Sequence, residues 1–276
     1  MSVKLLFALV AFGTSVVLAE TLVQPLEVPS TAQDADTLFE RLDAASSGLV
    51  FDHKIDYTHP LKAVFHSSMS CGGVAIGDVN GDGKPDVFVT SGSGKNGLFL
   101  NQGGMKFVNA TEEAGVDGGG AWSSGAAMAD IDNDGDLDIM VANYDSPNNL
   151  FINDGAGKFI DRASVRGLDL ADGSLMPSFC DYDHDGDLDV YLVTYRLYWL
   201  EGRPENVKSK LVNGALKVQP PHDRYFDLEP GDPNDLASWE FKECGRPDIL
   251  YRNNGNGTFT DVSEEAGIIA DRKTKA

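Results

Sequence analysis

Basic residues are scarce in this chain. Its 276 residues carry 22 Lys and Arg against 43 Asp and Glu, a formal charge of −21. So acidic a surface excludes nucleic acid and anionic membranes as expected partners, since both repel it. Cysteine is nearly absent: Cys71, Cys180 and Cys244 allow one disulfide at most. Cys180 with Cys244 is the expected pair, because it would tie an inserted segment to its parent repeat. Three separate thiols are the alternative. Long apolar runs are missing after the N-terminus. Residues 1–19 read as a secretory signal, with Lys4, an apolar stretch from Leu5 to Phe12, and Val17-Leu18-Ala19 before the cut. The stretch is short and is interrupted by Gly13, Thr14 and Ser15, so no transmembrane anchor is expected after cleavage. The expected location is outside the cell or in a periplasm.

Enzyme signatures are lacking as well. There is no Gly-x-Ser-x-Gly elbow and no His-Glu-x-x-His helix. Ser91-Gly92-Ser93-Gly94-Lys95 has the composition of a phosphate loop. Val89 stands where its first glycine belongs, and Asn96 where a hydroxyl belongs, so a flexible turn is expected. His53, His59 and His66 match no zinc spacing and read as structural residues.

Aspartate is what the chain has in excess, and it is clustered. Asp130 to Asp138 reads Asp-Ile-Asp-Asn-Asp-Gly-Asp-Leu-Asp, and Asp181 to Asp189 repeats the pattern. Asp78 to Asp86 is a third version, Asp-Val-Asn-Gly-Asp-Gly-Lys-Pro-Asp. The spacing points to Ca²⁺, a hard cation that takes several oxygens from a loop folded around it. Positions 1, 3 and 5 offer side-chain oxygens: Asp78, Asn80 and Asp82; Asp130, Asp132 and Asp134; Asp181, Asp183 and Asp185. Position 6 is glycine, which tolerates the sharp turn. Position 7 (Lys84, Asp136 or Asp187) would give a backbone carbonyl, and position 9 (Asp86, Asp138 or Asp189) closes the site. About three Ca²⁺ sites are expected. Crowded carboxylates repel by on the order of 1 kcal/mol per close pair even in water, and a dication removes that cost. Position 12 is Val89, Val141 or Leu192 instead of glutamate, which excludes a helical Ca²⁺ sensor.

The loops recur 52 and 51 residues apart, and strands surround each one. Val74-Ala75-Ile76 and Ala126-Ala127-Met128 precede loops; Val87-Phe88-Val89, Ile139-Met140-Val141 and Val190-Tyr191-Leu192-Val193 follow them. A strand–turn–strand module comes next, in which Leu98-Phe99-Leu100-Asn101, Leu150-Phe151-Ile152-Asn153 and Leu250-Tyr251-Arg252-Asn253 correspond. Each unit is thus four short strands, the plan of a propeller blade. The fold expected is all-β, a partial β-propeller of about three four-stranded blades with Ca-binding hairpin loops.

The expected organisation is a signal at 1–19, an N-terminal extension with lead-in strands at 20–71, and repeats over 72–268. The repeats occupy about 72–116, 125–168 and 175–268, and a tail runs over 269–276. A short helix is expected over 35–45 and strand-like pieces over 48–65. The third repeat holds a 49-residue insertion at about 195–247, with Tyr198, Trp199, Tyr225, Phe226, Trp239 and Phe241. These rings form a small local core, or they stack on a sugar or peptide partner.

The Asp-x-Asp/Asn-x-Asp-Gly-x-x-Asp loops between strands resemble FG-GAP/VCBS repeats, found in integrin α-subunit heads and in secreted proteins similar to cartilage acidic protein. The resemblance covers about 72–268. It implies a Ca²⁺-loaded propeller in adhesion or recognition, with an extracellular protein or carbohydrate ligand. Its ligand set would be Asp78, Asn80, Asp82 and Asp86; Asp130, Asp132, Asp134 and Asp138; and Asp181, Asp183, Asp185 and Asp189. The family's Phe-Gly…Gly-Ala-Pro segment is absent. Three blades do not close a ring of the usual seven. The chain is therefore expected to be the N-terminal part of a longer protein, or to self-associate through open blade edges. The rival expectation is an extracellular carbohydrate-active or other hydrolytic enzyme, with His222, Asp223 and Glu243 of the insertion as its first candidates.

Overall fold

A computed structural model describes residues 41–53, 56–62, 64, 72–199, 206–230 and 239–268. The expected signal, most of the N-terminal extension, the tail, His66 and Cys71 lie outside the described residues. The chain divides into Met1–Leu42 and Asp43–Ala276, and every element below belongs to the second unit.

A single helical turn, α1 (Ala44–Ser47), comes first; Asp43 Oδ2 caps it by accepting the Ser46 N–H at 2.7 Å. Of the helix expected over 35–45, residues 35–40 lie outside the described residues. The strand pieces expected over 48–65 are not formed among the described residues there. Side-chain packing holds this stretch instead: the Phe51 ring meets Phe99 edge-on at 6.3 Å, and Val64 is buried with Trp122 and Tyr144.

Blade 1 consists of β1 (Val74–Gly77), β2 (Asp86–Val89), β3 (Gly97–Asn101) and β4 (Phe107–Asn109), antiparallel and in that order. Blade 2 follows as β5 (Trp122–Ala129), β6 (Asp138–Pro147), β7 (Asn149–Asn153) and β8 (Phe159–Asp161). Blade 3 opens with β9 (Ala171–Cys180) and β10 (Asp189–Thr194). The insertion then contributes two separate hairpins, β11 (Ser209–Val212) with β12 (Ala215–Val218), and β13 (Phe226–Pro230) with β14 (Trp239–Glu243). Finally β15 (Ile249–Asn253) and β16 (Phe259–Asp261) complete the third blade. The molecule is the expected all-β partial propeller.

Strand periodicity explains how the blades stack. In β6, Ile139 and Val141 enter the core shared with Phe88, Leu98 and Val116 of blade 1. Their neighbours Met140 and Ala142 point the other way, into the core shared with Val190, Leu192 and Tyr251 of blade 3. Burying each of the larger side chains among these contributes about 1.5–3 kcal/mol. One sheet links blades 2 and 3, because the end of β6 pairs with the start of β9 (Tyr144↔Gly173, Ser146↔Asp172, Pro147↔Ala171). Blade 1 forms a sheet of its own and reaches blade 2 through side chains, as where Thr90 Oγ1 donates to the Ser124 carbonyl at 2.7 Å. Helical turns α2 (Thr111–Ala114) and α3 (Ala163–Arg166) follow β4 and β8, each stopped by a left-handed glycine, Gly115 or Gly167.

The insertion does build its own core. Val218, Phe226 and Leu228 are buried there, with Trp199 and Tyr225 packed against them. Trp239 and Phe241 remain 45% and 39% exposed. Two contacts seat the insertion on the blades. Tyr144 Oη donates to the Arg196 carbonyl at 2.8 Å and accepts the Tyr198 N–H at 2.9 Å. Arg246 grips the buried Asp172 carboxylate, its Nε lying 2.8 Å from both oxygens. The expected Cys180–Cys244 bridge is not formed. Cys180 is exposed at the end of β9 facing Asp189, whereas Cys244 is buried and directed at the Arg224 carbonyl. No helix among the described residues is long and apolar enough to cross a membrane.

Candidate metal-binding loops

Each acidic loop joins the first strand of its blade to the second: β1 to β2, β5 to β6, β9 to β10. The three loops fold alike because the same side chains hold the same backbone groups. At position 1, one oxygen accepts the N–H of position 5 and the other that of position 6. The pairs are Asp78 with Asp82 and Gly83 (3.1 and 2.7 Å), Asp130 with Asp134 and Gly135 (3.1 and 3.0 Å), and Asp181 with Asp185 and Gly186 (both 3.1 Å). Position 5 then accepts the N–H of position 7, at Lys84, Asp136 and Asp187. Local side-chain acceptors replace a ladder and curl the chain around its own carboxylates.

The curl brings expected ligands together. Oxygens of Asp130, Asp132 and Asp134 lie within 4.8 Å of one another, and so do those of Asp181, Asp183 and Asp189. In the first loop, Asp78 Oδ1 and Asn80 Oδ1 both reach the Asp82 N–H at 3.1 Å. Neighbours differ between loops. Lys84 Nζ sits 2.9 Å from Asp82 Oδ2, and Arg166 lies 2.7 Å from Asp132 Oδ2. Asp132 Oδ1 is buried with no hydrogen-bond partner. The position 7 aspartates meet neighbouring turns instead: Asp136 lies against Gly155, and Asp187 Oδ1 accepts from Asn133 Nδ2 of the second loop at 2.7 Å.

Position 9 has a second task. Asp86, Asp138 and Asp189 are 0–2% exposed. Their Oδ2 atoms accept the N–H of position 2, at Val79, Ile131 and Tyr182. Their Oδ1 atoms accept the N–H of Asn101, Asn153 and Asn253, at 2.7, 2.9 and 2.8 Å. Burial pushes all three carboxyls above their ordinary range, Asp138 to about 6; the two N–H bonds oppose this and the loop's other aspartates add to it. Sequence reasoning assigned the asparagines to a turn and missed this role. The available signal was the recurrence of one Asn at the end of each third strand.

Two of the rival residues make contacts within the insertion. Glu243 pairs with Arg196, and the His222 ring packs on Trp199 at 4.7 Å. Ser91 and residues 93–97 line a cleft of about 690 Å³ whose walls include Asp52, Asp56 and Glu112. Lys95 is drawn to Glu112 at 2.7 Å and Asp117 at 3.1 Å.

An FG-GAP-like repeat family model matches residues 78–141 and again 130–192, each span beginning at position 1 of an acidic loop. The chain carries FG-GAP-like repeats. Cartilage acidic protein 1 of Homo sapiens is 32% identical over 133 residues, covering 45% of this chain and 19% of that protein. The Mus musculus and Xenopus tropicalis counterparts are also 32% identical, over 20% of their length. The chain thus spans about a fifth of the length of these relatives. A solved structure titled for recognition of non-reducing terminal N-acetylglucosamine by an Agrocybe aegerita lectin overlaps 67% of this chain at 17% identity. Its TM-score of 0.29 gives it no weight.

Proposed function

We propose that this chain is a secreted, calcium-loaded propeller module for adhesion or macromolecular recognition, with an extracellular protein or carbohydrate as its ligand. The observation that carries the reading is the convergence of Asp130, Asp132 and Asp134, matched by Asp181, Asp183 and Asp189. Oxygen-only donor sets of this charge suit Ca²⁺, and the buried Asp132 Oδ1 lacks any other partner. The ligands would be the aspartates at positions 1, 3, 5 and 9, with Asn80 at position 3 of the first loop and a position 7 carbonyl in each. When bound, the ion neutralises the loop; Asp130 and its equivalents hold the turn, and position 9 ties it to the third strand. Similarity to cartilage acidic protein 1 supports an extracellular setting.

Isothermal titration of the metal-stripped protein with Ca²⁺ tests the reading. About three ions per chain are expected, with millimolar Mg²⁺ competing poorly, since Mg²⁺ demands a tighter octahedron. No uptake of Ca²⁺ by folded protein would refute it.

A further inference from the structure

The asparagine that ends each third strand reaches out of its own blade. Asn153 Nδ2 donates to the Leu137 carbonyl of its own loop at 3.0 Å and to the Val79 carbonyl of blade 1 at 2.8 Å. Asn253 Nδ2 repeats this one blade on, with Leu188 and with Ile131 of blade 2, both at 3.3 Å. Val79 and Ile131 occupy position 2 of their loops, between two expected ligands. Their side chains are 2% and 1% exposed, inside the cores shared with the following blade. Their N–H groups remain on Asp86 and Asp138 of their own blade. One residue in each of the first two loops is therefore held by two blades at once. The next blade's turn also lies close: a Cβ on Gly157 would sit 3.5 Å from Asn80 Cβ.

We propose that Asn153 and Asn253 are positioning residues that make the first and second acidic loops fasteners for the blades that follow them. An ion held by positions 1 and 3 fixes the direction of the position 2 carbonyl, and that carbonyl fixes the next blade's asparagine. Loop 1 thereby secures blade 2, and loop 2 secures blade 3. The coupling is reciprocal, so loosening the asparagine weakens the ion in the preceding loop. The inference rests on the calcium reading for its metal dependence alone.

Hydrogen exchange read by mass spectrometry tests it on the full chain in saturating Ca²⁺. Asp78→Ala should raise exchange at 153–159 of blade 2 by about tenfold while 253–259 of blade 3 stays protected. Asp130→Ala should move the effect to 253–259. Asp78→Asn and Asp130→Asn replace either variant that does not fold. Changes confined to the mutated loop's own blade overturn the proposal. Asn153→Ala should raise exchange at 79–86 of blade 1 with or without Ca²⁺. It should also lower loop 1 affinity severalfold in calorimetry, and Asn153→Asp, which keeps the acceptor but not the donor, should not rescue it. Unchanged exchange at 79–86 overturns the fastener even if Ca²⁺ binds. Absent Ca²⁺ uptake with raised exchange at 79–86 overturns the calcium reading and leaves the fastener standing.

Discussion

Asp138 Oδ1 accepts the backbone N–H of Asn153 at 2.9 Å, in the interior of blade 2. This carboxyl is 2% exposed, and burial raises it from 3.8 to about 6. The folded state therefore binds its proton more tightly than the unfolded chain does. In chelator, stability should fall as pH rises from about 4 to about 6, then level off, by on the order of 3 kcal/mol at most from this group. Asp86 and Asp189 shift in the same direction. Asp82, Asp117 and Asp154 shift downward, so their contribution is lost only below the ordinary carboxyl range. Thermal melts from pH 4 to 7.5 check the window. Asp138→Asn should flatten the slope while lowering the plateau by about 1–3 kcal/mol, since an amide cannot accept both N–H bonds.

Calcium should raise the melting temperature reversibly, and EDTA should lower it. At free Ca²⁺ a hundred times Kd, each site adds about 2.7 kcal/mol. Asp132→Ala and Asp183→Ala should each remove one ion from the titration and leave the others. Either variant with full stoichiometry would take that residue out of the ligand set.

The insertion should depend on Arg246. Arg246→Met leaves the buried Asp172 carboxylate without its partner, at a cost of about 3–5 kcal/mol. Urea melts should show that loss, and limited proteolysis should find the insertion cut faster. The double variant Arg246→Met with Asp172→Leu should recover most of the stability, because no lone charge remains.

Tyr144→Phe removes a hydroxyl that serves two backbone groups of the insertion, the Arg196 carbonyl and the Tyr198 N–H. The expected loss is about 1–3 kcal/mol, measured by denaturant melts. Burial raises the Tyr144 hydroxyl well above its ordinary range, so alkaline titration should leave it protonated after exposed tyrosines have ionised.

The blades were legible because their signals are local. Glycine turns, alternating strands and the Asp-x-Asp spacing each act within a dozen residues, and three copies made the repeat plain. Relationships between copies were not legible. Asn153 reads as a turn residue in its own hairpin, and nothing near it reveals Val79, 74 residues away. The pairing of β6 with β9 depends on how the blades tilt, and both strands look ordinary in isolation. The apolar pattern around Phe51 and Val64 suggests strand pieces, yet Phe51 packs edge-on against Phe99 of blade 1 and Val64 is buried with Trp122 and Tyr144 of blade 2. The Cys180–Cys244 pairing failed because it was drawn from chain order, while Cys244 follows β14 into the insertion's own packing.

The uneven joining of the sheets has a mechanical side. Between β6 and β9 a stretch of main-chain ladder would have to shear before blades 2 and 3 part. Blade 1 hangs on its neighbour by interdigitated apolar groups and a few side-chain links such as Thr90 to Ser124. A tether pulling on this array should peel blade 1 away first, at low force, and leave its two companions travelling as one piece.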